Sequence, residues 1–242
     1  MLKLLVSVVN RIEALEAVKG GAHIVDVKNP EEGSLGANFP DVIKRVRQVV
    51  SDFVEVSATI GDLPNLPGTA SLAALGAAAS GADYVKAGLY GLKTIDEAVY
   101  LMREVSKAVK GYKASVKVIA AGYADSQKIA SLNPLTLPEV ARKSDSGGVM
   151  IDTKLKHGGK SFAYIPQQKL AKFVIESHDY GLLAAIAGSL DRNDISTVHQ
   201  LGFDVVGVRK AVCQDSDRLR GQVLGTLVQD LTSVIRGLDP RL

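Results

Sequence analysis

The sequence offers little of what several common chemistries require. Its single cysteine, Cys213, can close no internal disulfide and anchor no multi-cysteine metal site. It has no tryptophan, and aromatic residues make up only 5% of the chain, so the interior must be built from aliphatic side chains. A long apolar run is missing: the most lipid-like region, 69–82, is short and studded with Ser and Gly, well under the about 20 apolar residues of a membrane span. The apolar opening residues are stopped by Asn10, Arg11 and Glu13 with no small-residue cleavage site behind them. They read as a buried first strand rather than a signal peptide, and with the lone cysteine they lead us to expect a cytoplasmic protein. An excess of one charge is also lacking. Twenty-nine basic against 26 acidic residues leave +3, with no basic run, so neither nucleic acid nor membrane is an expected partner. No Walker loop, Gly-x-Ser-x-Gly elbow or dinucleotide fingerprint is found, and no His/Asp/Glu spacing fits a metal site. No metal or cofactor is expected.

What is present is alternation. Hydrophobic residues form 46% and charged residues 23% of the chain, a balance that folds rather than one that stays disordered. Short runs of Val, Ile, Leu and Ala fall at 2–9, 23–28, 53–60, 84–89, 115–122, 148–153, 183–188 and 204–209, as strands buried on both faces require. Helix-like segments lie between and after them at 12–18, 39–50, 71–80, 94–110, 138–143, 167–180, 193–201 and 222–237. Thr94 with Glu97 three residues later predicts a capping box. A phrase in which a helix ends at Gly and the chain turns into a strand recurs at 20–28, 80–86 and 201–208. Eight βα units without a linker predict one domain over residues 1–242, a (β/α)8 TIM barrel, with an open doubly wound sheet as the alternative.

In such a barrel, chemistry sits where strands end. Asp26 and Lys28 share one side of strand 2, and Asn29-Pro30 ends that strand. Lys86 lies inside the apolar run of strand 4; burial and neighbouring cations lower an amine's pKa and ready it for imine formation or proton transfer. Asp152 closes strand 6, followed by Lys154 and Lys156 at the same parity and by Gly158-Gly159 in a loop. Spacing does not choose between the two lysines. Glu55, near the start of strand 3, reads as structural. Gly188 and Ser189 after strand 7, with Gly207 and Arg209 after strand 8, occupy the place where barrels often bind phosphate. Residues 215–220 are the expected start of the extra helix such sites use. His23 falls at the opposite end, and His178 and His199 fall on helices; His157, in the loop after strand 6, is the one that could touch substrate. Cys213 lacks an identifiable histidine partner. These residues describe a lysine-rich barrel for a phosphorylated carbonyl compound.

Longer motifs add a resemblance. Asp26 to Asn38 (DVKNPEEGSLGAN) resembles the strand-2 signature of the (5-formylfuran-3-yl)methyl phosphate synthases of methanofuran biosynthesis. The likeness continues through Ser57–Asp62, Pro67–Thr69, Lys86–Gly91, Ala120–Asp125, Ala187–Ser189 and Val206–Arg209. It implies condensation of two glyceraldehyde 3-phosphates to a furan that keeps one phosphate, a phosphate-eliminating carbon–oxygen lyase reaction. Lys28 would then be the Schiff-base lysine and Lys86 the proton-transferring one, with Asp26, Asp152 and Lys156 supporting acid–base steps. The resemblance favours Lys156 over Lys154; Lys154 and His157 depart from it. Two phosphorylated substrates require two anion sites, and the second is expected among basic side chains at the mouth, unlocated. Outer helices rich in Ala and Val predict a homo-oligomer. Another imine-forming aldolase or phosphosugar isomerase, or a barrel that only binds phosphometabolites, are the competing readings.

Overall fold

The computed structural model describes residues 1–238. Its strands are β1 (Lys3–Val8), β2 (Ile24–Val27), β3 (Glu55–Asp62), β4 (Tyr84–Gly88), β5 (Lys117–Tyr123), β6 (Gly148–Asp152), β7 (Leu183–Ile186) and β8 (Val205–Val208). Each is followed by one helix: α1 (Arg11–Lys19), α2 (Pro40–Val49), α3 (Pro67–Ala79), α4 (Ile95–Tyr112), α5 (Leu137–Lys143), α6 (Gln167–Asp179), α7 (Ile195–Gln200) and α8 (Gly225–Leu238). Every neighbouring pair is parallel, and β8 returns to β1 with Lys3 opposite Val205 and Leu5 opposite Gly207. The sheet is therefore a closed (β/α)8 barrel, and the open-sheet alternative is excluded.

Strand parity creates two apolar layers. Along β2, Val25 and Val27 point outward into the layer shared with the helices, while Ile24 points inward with Leu5, Tyr84, Ile119, Met150 and Val205. The same alternation continues upward, so Asp26 and Lys28 follow Ile24, Lys86 follows Tyr84, and Asp152 follows Met150. Helix ends obey local rules. Asn10 accepts from the backbone N–H groups of Ile12 and Glu13 to start α1, and Thr94 with Glu97 forms the expected capping box on α4. The buried face of α4 carries Leu101, Met102, Val105 and Val109. Burial of each such large aliphatic side chain contributes about 1.5–3 kcal/mol, and a charge at Val105 would split this face from the barrel.

Three expectations need correction. β3 runs from Glu55 to Asp62 rather than 53–60, which brings Asp62 to a strand end. α3 starts at Pro67, four residues before the apolar periodicity suggests, because proline suits a first helical turn. Residues 215–220 begin no α-helix. The chain makes short 3-10 turns at Lys210–Val212 and Gln214–Ser216, with Asp215 in the left-handed region at φ 54°, and Cys213 bridges back to Val223. Among the described residues, no helix is long and apolar enough to cross a membrane.

Candidate active site

The strand parity places carboxylates and amines together at the carboxyl end of the barrel. Lys86 Nζ lies 2.7 Å from Asp26 Oδ2, with both side chains buried. Asp26 Oδ2 also accepts from Ser7 Oγ at 3.0 Å, from the neighbouring strand. Among the described residues, Asp26 Oδ1 is buried without a hydrogen-bond partner, as is Ser57 Oγ, its neighbour in register on β3. Lys156 Nζ lies 2.7 Å from Asp152 Oδ1. Desolvating two charges costs several kcal/mol per ion, so stability alone is a poor reason for two such pairs in one mouth. Asp26, Lys28, Lys86, Asp152 and Lys156 line one pocket together with Gly188, Ser189, Gly207 and Arg209. All nine sequence candidates are thus gathered in one place.

Lys28 differs from the other amines. Among the described residues its Nζ makes a single hydrogen bond, at 3.3 Å, to the carbonyl oxygen of Ser34. Burial drives its pKa down; Asp152 and Asp26 oppose that and Lys156 and Lys86 reinforce it, so the amine titrates at about 7. Burial pushes the Asp152 carboxyl up, but Lys156 and Lys28, with hydrogen bonds from Lys156 and the Thr153 N–H, pull it to about 2. Near neutrality the pocket therefore holds a carboxylate next to an amine whose free base is within reach.

Asp62 organises the loop after β2 beside this pocket. It accepts from the backbone N–H of Ser34 at 2.9 Å and of Leu35 at 3.3 Å, from Lys154 Nζ at 2.9 Å, and from the Tyr123 hydroxyl. Burial, then the Asp62 charge and this hydrogen bond, hold the Tyr123 phenol well above its ordinary value, so it stays a donor. The loop fixed by Asp62 presents the Ser34 carbonyl to Lys28 and the Ser34 hydroxyl to the Thr153 carbonyl at 2.7 Å and Asp152 at 3.3 Å. Asp125 fixes the other side by accepting from the N–H groups of Lys154 and Leu155, both at 2.8 Å. Gly88 must be glycine here, because a Cβ would sit 2.9 Å from the Gly61 carbonyl and closer still to the Tyr123 hydroxyl. Sequence reasoning gave Asp62, Tyr123, Ser34 and Asp125 no roles, although all four lie in motifs that carry the family resemblance. A third strand that stops at residue 60 leaves Asp62 in a loop, where a charge carries no signal.

The β7 and β8 ends supply a different surface. Gly188 and Ser189 are both left-handed, at φ 98° and 57°, which turns the chain sharply over the pocket and strains the serine. The Ser161 hydroxyl braces this turn by donating to the Ala187 carbonyl at 2.6 Å. Arg209 does not offer its guanidinium to a ligand. It pairs with Glu13 at 2.8 Å and donates to the carbonyls of Ser7 at 3.0 Å and Arg218 at 2.7 Å. Any contribution of Arg209 to an anion site is through its backbone. Arg218, which sequence reasoning did not single out, lines the pocket instead and reaches the Gly33 carbonyl at 3.4 Å. Cys213 is buried, and that burial pushes its thiol up to about 11, the wrong direction for a nucleophile. His178 pairs with Asp204 on the surface at 3.0 Å, and His23 accepts from the Leu4 N–H at the barrel's other end. His157 borders cavities at the mouth.

The family model for 4-HFC-P synthase matches residues 4–232. The chain belongs to the 4-HFC-P synthase family. Among its relatives, (5-formylfuran-3-yl)methyl phosphate synthase of Methanopyrus kandleri is 51% identical over 96% of this chain and 98% of that protein. The proteins of the same name from Methanothermobacter thermautotrophicus and Methanocaldococcus jannaschii are each 48% identical over 96% of this chain, covering 98% and 99% of their own lengths. Solved structures agree on the fold: 3-hexulose-6-phosphate synthase from Salmonella typhimurium superposes with a TM-score of 0.68 at 16% identity, covering 97% of this chain and 99% of its own. KGPDC from Streptococcus mutans gives 0.66 at 12% identity over 99% of both chains. Membership in the 4-HFC-P synthase family turns the paired amines and carboxylates from a general aldolase-like mouth into candidates for one synthase reaction.

Proposed function

We propose that this chain is a (5-formylfuran-3-yl)methyl phosphate synthase acting on two glyceraldehyde 3-phosphates, a phosphate-eliminating carbon–oxygen lyase. The observation that carries the reading is the buried Lys28 amine, titrating at about 7 beside Asp152 and the Lys86–Asp26 pair, in a chain of this family. Free amine attacks an aldehyde carbon, and water leaves as the iminium forms. The iminium acidifies the adjacent C–H, because it receives the electron pair left behind. Lys86 and Asp26 move that proton, the unpartnered Asp26 Oδ1 being the oxygen free to take part. The resulting carbon nucleophile forms a C–C bond to the carbonyl carbon of the second triose. Lys156, held on Asp152, supplies the acid for departing oxygen. Ring closure and hydrolysis of the imine return free Lys28. Two trioses give the six-carbon furan phosphate, one phosphoric acid and two waters, with no net oxidation.

One phosphate binds through backbone amides at Gly188, Ser189, Gly207 and Arg209. Copies associate through outer helices; α3 leaves Leu72 and Leu75 exposed, and sedimentation tests this. For the reaction, the enzyme is incubated with glyceraldehyde 3-phosphate, with and without borohydride. Mass analysis should find the furan aldehyde without reductant and a three-carbon adduct on the Lys28 peptide with it. Another product, such as a simple aldol or an isomerised triose, would replace this reading.

A further inference from the structure

Beside the inner pocket, and sharing Lys156 and Arg218 with it, lies a cavity of about 500 Å³ between the loops after β2 and β6. Its walls are Gly33, Ser34, Lys154, Lys156, His157 and Arg218, with Leu155 and Gly158. Four of these eight residues, Lys154, Lys156, His157 and Arg218, carry basic side chains, and none is acidic. The carboxylates that pair with Lys154 and Lys156, Asp62 and Asp152, are almost fully buried behind them, so the amines present their charge to the cavity. Arg218 is half-buried and, among the described residues, no carboxylate lies within 4.0 Å of its guanidinium; its one hydrogen bond is the long one to Gly33. A half-buried cation without a partner is costly unless an anion completes it. Its place is fixed from behind: Arg209, clamped by Glu13, donates to the Arg218 carbonyl.

We infer that this cavity is a second phosphate subsite, in which Arg218 together with Lys154 and Lys156 holds the phosphate of the second triose. The inference rests on the condensation reading above, and gives each of its two substrates a separate anion site. The first triose is held by the β7 and β8 ends with its aldehyde at Lys28. The second enters over the shared wall of Lys156 and Arg218, which brings its carbonyl carbon toward the nucleophile formed on the first. Arg218 presents a planar fork suited to phosphate oxygens, and a hydrogen bond to a charged group loses about tenfold to 100-fold in binding when its donor is removed.

The test compares Arg218→Gln with the parent enzyme. Glutamine removes the charge and keeps a polar side chain at that position. Furan production should fall about 100-fold with a raised requirement for glyceraldehyde 3-phosphate, while borohydride trapping on Lys28 stays within about twofold. Arg218→Lys should recover part of the furan rate. Titration with inorganic phosphate should give two sites in the parent and one in Arg218→Gln. Unchanged furan production would overturn the inference. Parallel loss of trapping and furan in a folded variant would also overturn it, by placing Arg218 on the first triose. If the parent makes no furan, the condensation reading fails separately. The phosphate titration then decides the subsite: loss of one site in Arg218→Gln sustains it, and equal stoichiometry removes it.

Discussion

The two ends of this barrel both carry charge, and they use it differently. At the amino end Glu55 accepts from Lys3 at 2.6 Å and from the Tyr84 hydroxyl at 2.7 Å. Burial pushes Glu55 up, but these partners bring it below its ordinary value, and about a third of its side chain remains exposed. Glu55 is thus satisfied, wet and inert. At the carboxyl end the pairs are dry, one oxygen of Asp26 is left without a partner, and Lys28 is held near its point of neutrality. At the amino end the pair that serves the fold is completed and partly solvated; at the mouth the Lys86–Asp26 pair is buried, with one carboxylate oxygen left open.

Substitutions at the two ends test that contrast. Lys28→Arg should abolish the borohydride adduct and lower furan production by at least about 1,000-fold, since guanidinium stays protonated and forms no comparable imine. In the parent, adduct formation should rise with pH through about 7, because only free amine attacks; a rise centred near the ordinary lysine value would contradict the burial argument. Asp26→Asn and Asp152→Asn should each cut turnover about 100-fold and leave inorganic phosphate binding within a few-fold. Equal losses in both measurements would return these carboxylates to a structural role. Asp62→Asn should have a smaller effect, about tenfold on turnover, by loosening the loop that presents Ser34 to Lys28. Water would then reach Lys28 and move the midpoint of adduct formation upward from about 7. A slower enzyme with an unmoved midpoint would separate Asp62 from the lysine. Glu55→Gln should leave turnover unchanged and cost less than about 1 kcal/mol on thermal unfolding, as half-exposed pairs do.

The barrel is legible in the sequence because its strands are buried on both faces, and so appear as apolar runs that tolerate few substitutes. Asp26, Lys86 and Asp152 were visible for the same reason: a charge inside such a run has to be accounted for. Spacing could not separate Lys154 from Lys156. The difference lies in the partners, Asp62 at the end of β3 for one and Asp152 at the end of β6 for the other, and the first depends on how the loop after β6 packs across the mouth. Arg218 gave no signal, since it sits among loop charges that are usually solvated. It matters only because a backbone carbonyl nine residues after Arg209 is tethered to that arginine. Arg209 misled in the opposite sense: its position after β8 suggested an anion ligand, whereas its guanidinium is consumed by Glu13.

That last pair also constrains the order in which the protein can be made. Glu13 lies on the first helix, and its partner is 196 residues further along the chain. A ribosome releases the amino-terminal half long before Arg209 emerges, so the nascent barrel carries an open seam and a carboxylate that has to stay in water. Only when β8 arrives can β1 gain its second neighbour and Glu13 be desolvated. The same event tethers the Arg218 segment over the pocket. Arrival of β8 and assembly of the mouth are therefore linked, and a barrel lacking that strand has its candidate amines but no closed vessel around them.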